Sequence, residues 1–228
     1  MSPQATKPSL QNIYKILFKS FGPQHWWPGE TRFEVIVGAI LTQNTNWKNV
    51  ERALQNLKAA LKPFTPQALH GLNHSQLASL IKPAGYFNIK AKRLKNFLDF
   101  LFEEYGGKIA RMGKEEMGLL RKKLLAVNGI GPETADSILL YAVDKPSFVV
   151  DAYTKRILYR HGLTGEKATY HEVQEMFVQS LPPHTVMFNE YHALIVKLGK
   201  DYCKTKPLCA QCPVFLAGHK PLGAFFQE

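Results

Sequence analysis

Cysteine is scarce in this chain of 228 residues, and what there is lies in one place. Cys203, Cys209 and Cys212 are its three cysteines, gathered in a short stretch near the C-terminus. An odd, clustered set argues against a disulfide framework and for a metal or cluster site, or the remnant of one. No apolar run reaches the length of about eighteen residues that a membrane helix needs, so no membrane partner is expected. The opening "MSPQATKPSL" lacks the apolar core of a signal peptide, and a cytoplasmic protein is expected. Acidic residues are also few: 18 Asp and Glu face 29 Lys and Arg, for a formal net charge of +11. That excess points to a polyanionic partner. Basic residues recur in "IKAKRLK" (89–95), "RKK" (121–123) and "KRILYR" (155–160), although a merely solvated surface would read the same way. Convincing alternating strands, internal repeats and low-complexity tracts are absent.

What is present is helical. Ile13, Leu17 and Phe21 share one face and stop at Gly22. Thr31 and Glu34 form a Thr-x-x-Glu capping box before "FEVIVGAIL", a run apolar all round that predicts a buried central helix. Asn46 is placed to cap the next helix, and Thr65 with Pro66 opens another. Further helices are predicted at about 88–105, 114–127, 132–143, 152–161, 169–180 and 184–202, with a second capping box at Thr169 and Glu172. "SFVV" (147–150) is too short to seed a sheet. The fold class is all-α, with roughly ten helices.

Between two of these helices lies "NGIGPE" (128–133). Gly129 and Gly131 can take positive φ and let a ligand come close to the backbone. Pro132 opens the following helix where its missing N–H matters least. The unsatisfied N–H groups of that helix start, around Glu133 and Thr134, would suit a nucleic-acid phosphate, a contact independent of base sequence. Taken alone, Gly-x-Gly is equally a helix corner with a glycine C-cap.

The surrounding residues carry a resemblance. "LAVNGIGPETADSILLYAVDKPSFVVDAYTKRIL" resembles the helix-hairpin-helix and catalytic segment of the endonuclease III superfamily of DNA glycosylases. "AILTQNTNWKNV", "AGYFNIKAKRLKNF" and "YHALIVKLGKDYCKTKPLCAQCP" match further family segments in the right order, over about 33–213. The resemblance implies two helical lobes with a DNA-binding cleft between them. One lobe is 1–30 with 145–228. The other is 31–144 and carries the helix-hairpin-helix at about 114–143.

The same resemblance assigns residues. Asp151, which alone reads as a helix N-cap, becomes the catalytic carboxylate, stabilising positive charge at C1′ and aiding attack by water. Some members cleave the abasic strand with a hairpin lysine. Here that position is Glu133, which cannot form an imine, so a monofunctional glycosylase is expected. Trp26, Trp27 and Pro28, with Trp47, resemble the aromatic pocket of the 3-methyladenine glycosylase branch, where stacking holds a flipped, cationic base. Gln43 falls where relatives insert a side chain into the gap left by that base, and Asn44 is a further DNA contact. The family's cluster loop reads Cys-x6-Cys-x2-Cys-x5-Cys. This chain has Cys203-x5-Cys209-x2-Cys212 and then Gly218 in place of the fourth cysteine, so no cofactor is required and loss of the [4Fe-4S] cluster is expected.

These readings converge on a glycosylase of base excision repair that hydrolyses alkylated purines such as 3-methyladenine. It would act as a monomer on double-stranded DNA carrying a damaged base, in the cytoplasm and associated with the nucleoid. Two alternatives remain: a glycosylase for oxidised pyrimidines or mismatched bases, and a non-catalytic helix-hairpin-helix DNA-binding protein.

Overall fold

The computed structural model describes residues 8–27 and 29–223. Among them every regular element is helical. The chain divides into two units, 27–145 and the combination of 1–26 with 146–228.

The central unit is built around α2 (Arg32–Leu41), whose residues from Phe33 to Leu41 are all buried. The capping box is half as expected. Thr31 accepts from the Glu34 N–H, but the Glu34 carboxylate accepts from the Glu30 N–H instead of returning to Thr31. Lys58, on α3 (Trp47–Ala60), draws that carboxylate aside. Asn46 caps α3, and Thr65 with Pro66 opens α4 (Pro66–His70). The next helix, α5 (His74–Leu80), is not among the predicted ones; Asn73 and Gln76 open it with a complete capping box. Then come α6 (Phe87–Tyr105), the short α7 (Ile109–Met112), α8 (Met117–Ala126) and α9 (Pro132–Ser137). The helix expected to continue to residue 143 instead widens after Ser137 into a π-helical turn, Ile138–Ala142, where the Val143 N–H donates to Ile138 O. That turn packs on α2.

The terminal unit comprises α1 (Leu10–Phe21), α10 (Ala152–Arg160), α11 (Tyr170–Ser180), α12 (Thr185–Asp201) and the short α13 (Pro213–Leu216). Its core is aromatic. Phe148 stacks on Phe177 at 3.7 Å between centroids, and Phe188 and Tyr191 meet Phe148 edge-on. The buried Tyr191 hydroxyl donates to Leu10 O, which ties α1 to α12. Thr169 and Glu172 form the expected capping box of α11.

Candidate nucleic-acid interface and active site

The hairpin joins α8 to α9. Of its two glycines only Gly129 has positive φ, +96°, while Gly131 is an N-cap in the extended region at φ −91°. The two are glycine for different reasons. A Cβ on Gly129 would stand 2.3 Å from Cγ of Arg93, whereas one on Gly131 would meet nothing within 4 Å. The turn is thus closed on the Arg93 side and open at Gly131, where the backbone can be approached. Behind it, Arg121 of α8 donates from Nε and Nη2 to the carboxylate of the fully buried Asp136 on α9, at 2.8 and 3.0 Å. Asn96 of α6 donates to Asn128 O.

Gln43 is bound to this hairpin. Its Nε2 donates to Gly129 O at 3.1 Å and to Thr134 Oγ1 at 2.8 Å, and its Oε1 accepts from Arg93. Thr134 is buried, so its side chain faces Gln43 and not solvent, while Glu133 is exposed. Asn44 is exposed and left-handed, φ +52°.

A second left-handed residue lies on the neighbouring loop. Tyr86, φ +44°, precedes α6 and is 69% exposed. A bulky residue held in this conformation with its ring in solvent is costly without a use. Lys90 ties its loop to the Gln43 loop: it is buried and donates to Leu41 O and Ala84 O, each at 2.8 Å. Burial, aided by Arg93, pushes its pKa down to about 8. In the sequence Lys90 counted towards a surface basic stretch, and Tyr86 drew no notice. An aromatic directly after a glycine at a helix start was the available signal.

The proposed pocket aromatics belong to both units. Trp27 meets Trp47 edge-on at 5.2 Å between centroids and Tyr141 at 5.0 Å. Gly38 makes room for this group, since a Cβ there would contact both indoles. Tyr141 comes from the π-helical turn, which sequence periodicity did not reveal. Trp26 belongs to the terminal unit, where Lys200 lies over its ring at 5.8 Å. Pro28 lies outside the described residues.

Asp151 caps α10. Its Oδ1 accepts from both the N–H and the hydroxyl of Thr154, at 2.7 and 2.8 Å. Its Oδ2 lies 3.7 Å from Nε2 of His192, on α12. His192 is buried, and burial holds its imidazole below the usual pKa against the opposing pull of Asp151.

Cys203, Cys209 and Cys212 line one small concavity with Arg160, His161 and Phe215. Arg160 donates to Cys203 Sγ at 3.3 Å, and burial raises the thiol pKa of Cys209 and Cys212. Among the described residues no group of three His, Cys, Asp or Glu could hold a metal ion. A four-iron cluster takes four thiolates and the chain has three cysteines, so the donor set does not fit.

Comparison with known proteins gives these features a setting. A family model described as "HhH-GPD superfamily base excision DNA repair protein" matches residues 37–183. A Methanocaldococcus jannaschii protein, provisionally named a DNA repair glycosylase, is 52% identical over 207 residues, covering 90% of this chain and 93% of that one. The endonuclease III of Thermotoga maritima is 31% identical over 212 residues, covering 92% and 91%. The solved structure of the H. pylori 3-methyladenine DNA glycosylase bound to 1,N6-ethenoadenine matches with a TM-score of 0.73 at 28% identity, covering 85% of this chain and 98% of that chain.

Proposed function

The chain belongs to the HhH-GPD superfamily of base excision DNA repair proteins, and from that premise we propose that it is a monofunctional glycosylase releasing alkylated purines such as 3-methyladenine. The observation that carries this reading is the state of Asp151. One of its oxygens is fixed by two donors from Thr154, and the other is left to act. Breaking the N-glycosidic bond builds positive charge on the sugar. A carboxylate beside C1′ stabilises that charge and accepts a proton from the attacking water. A cationic alkylated base leaves as a neutral molecule, so the chemistry asks for no strong general acid and no cofactor. Trp27, Trp47 and Tyr141 supply the π-faces that such a base prefers.

Backbone N–H groups around Gly129, Gly131, Glu133 and Thr134 take the DNA phosphate. Asn44 and Tyr86 meet the strand, the tyrosine as a stacking surface. Gln43 enters the gap left by the flipped base after leaving its partners on the hairpin. The cysteine loop is held by packing. Glu133 offers no amine for a Schiff base, so the strand stays intact at the abasic site.

The test is to incubate the protein with methylated duplex DNA and identify the released base. Release of 3-methyladenine, its loss in Asp151→Asn with DNA affinity kept, and no covalent adduct under borohydride support the proposal. Full activity in Asp151→Asn refutes the role of Asp151. A trapped adduct refutes the monofunctional assignment.

A further inference from the structure

The two oxygens of Asp151 are in different situations. Oδ1 receives both Thr154 donors, and Oδ2 faces the imidazole of His192 across 3.7 Å. The histidine is 4% exposed and sits mid-helix in α12. Its distance from the carboxylate is set by helix packing and not by a loop. Tyr153, two residues after Asp151, lies so tightly on Gly199 of α12 that a Cβ there would come within 2.3 Å of the ring. Arg156 fastens the same two helices by donating to Gly199 O at 3.1 Å and Cys203 O at 2.8 Å.

We propose that His192 is a positioning residue for Asp151: a neutral imidazole carrying its proton on Nε2 and presenting that N–H to Oδ2. The inference rests on the reading of Asp151 as the hydrolytic carboxylate. The proton belongs on Nε2 because the other tautomer would set a nitrogen lone pair against a carboxylate lone pair. At 3.7 Å the contact is longer than a hydrogen bond. Such contacts tighten when the substrate is bound. In the reaction the water oxygen bonds to C1′ while the C1′–N bond breaks and its electron pair leaves with the base. The water proton passes to Asp151 Oδ2 and then to solvent. His192 keeps its own proton throughout. It holds Oδ2 in the ionised, correctly turned state in which it accepts the proton. A packed core histidine would do none of this, and the two roles separate experimentally.

The experiment is single-turnover release of 3-methyladenine from methylated duplex at saturating enzyme, with affinity for abasic DNA and the urea midpoint measured beside it. His192→Leu keeps the bulk and removes the donor. It should slow release by about tenfold to a hundredfold, the range for a hydrogen bond to a charged group, with abasic-DNA affinity unchanged. His192→Gln places an amide N–H at similar reach and should recover most of the rate. If His192→Leu does not fold, His192→Gln is compared with the shorter His192→Asn. A Gln variant faster by about tenfold supports the proposal, and equal rates overturn it. Wild-type release by His192→Leu, or equal loss in Leu and Gln, also overturns it. If Asp151→Asn is inactive while His192→Leu is fully active, only this inference falls. If Asp151→Asn keeps the wild-type rate, the reading beneath it falls too.

Discussion

Replacing Arg121 with Met should loosen the hairpin. Asp136 is 0% exposed, and its two oxygens accept from Arg121 at 2.8 and 3.0 Å. Without the guanidinium, the buried carboxylate loses both of these bonds. Breaking a buried pair from one side costs about 3–5 kcal/mol. Arg121 is itself 28% exposed, so water reaches its side of the pair, and the lower end, about 3 kcal/mol, is expected. With a urea m-value of about 2 kcal/mol/M, that moves the midpoint down by about 1.5 M. Asp136→Asn in the Arg121→Met background removes the buried charge and should restore at least half of the loss. The double-mutant cycle then gives a coupling of at least about 1.5 kcal/mol plus the cost of Asp136→Asn alone. Urea titration followed by far-UV circular dichroism measures all four proteins. A single-variant cost below about 1 kcal/mol, or a double variant less stable than Arg121→Met, would refute the argument that this pair holds α8 to α9.

Three further outcomes follow from the same geometry. Gly129→Ala combines a φ of +96° with a Cβ 2.3 Å from Arg93 Cγ, so it should cost about 1–3 kcal/mol in urea unfolding and weaken DNA binding; an unchanged midpoint counts against it. Lys90 has a folded pKa of about 8 against an ordinary 10.5, so between those values the unfolded chain binds a proton that the folded chain has shed. The stability of wild type relative to Lys90→Met should therefore rise as pH climbs from about 8 to about 10.5, and a flat difference across that window would contradict the buried charge. Trp27→Ala and Trp47→Ala should each slow 3-methyladenine excision by roughly tenfold or more, at a stacking worth of about 1–3 kcal/mol per base, whereas Trp26→Ala should do less.

Helix ends and the buried α2 were legible because their causes are local. A cap needs one side chain and the N–H three residues on, as Asn46, Thr65 and Thr169 show. The features that escaped depend on tertiary partners. Tyr141 reaches Trp27 from a π-helical turn that no 3.6-residue periodicity announces. His192 looks in sequence like one more residue on an apolar helix.

The basic stretches also depend on tertiary partners. Charge was read there as an outward signal, yet all but Lys92 and Lys122 donate within the chain. Lys90, Lys95, Lys155, Arg156 and Arg160 donate to backbone carbonyls, Arg93 to Gln43, and Arg121 and Lys123 to carboxylates. Side chains so engaged are poorly placed to release counterions from a phosphate. These eight side chains should therefore add little to the slope of log affinity against log salt, which is about −0.9 per phosphate neutralised. In the proposed reading, uncharged backbone donors at the open Gly131 turn hold a phosphate without a lysine. A slope that shallows by about 0.9 when any one of these eight is replaced by an uncharged residue would mean that this side chain lets go of its partner on DNA.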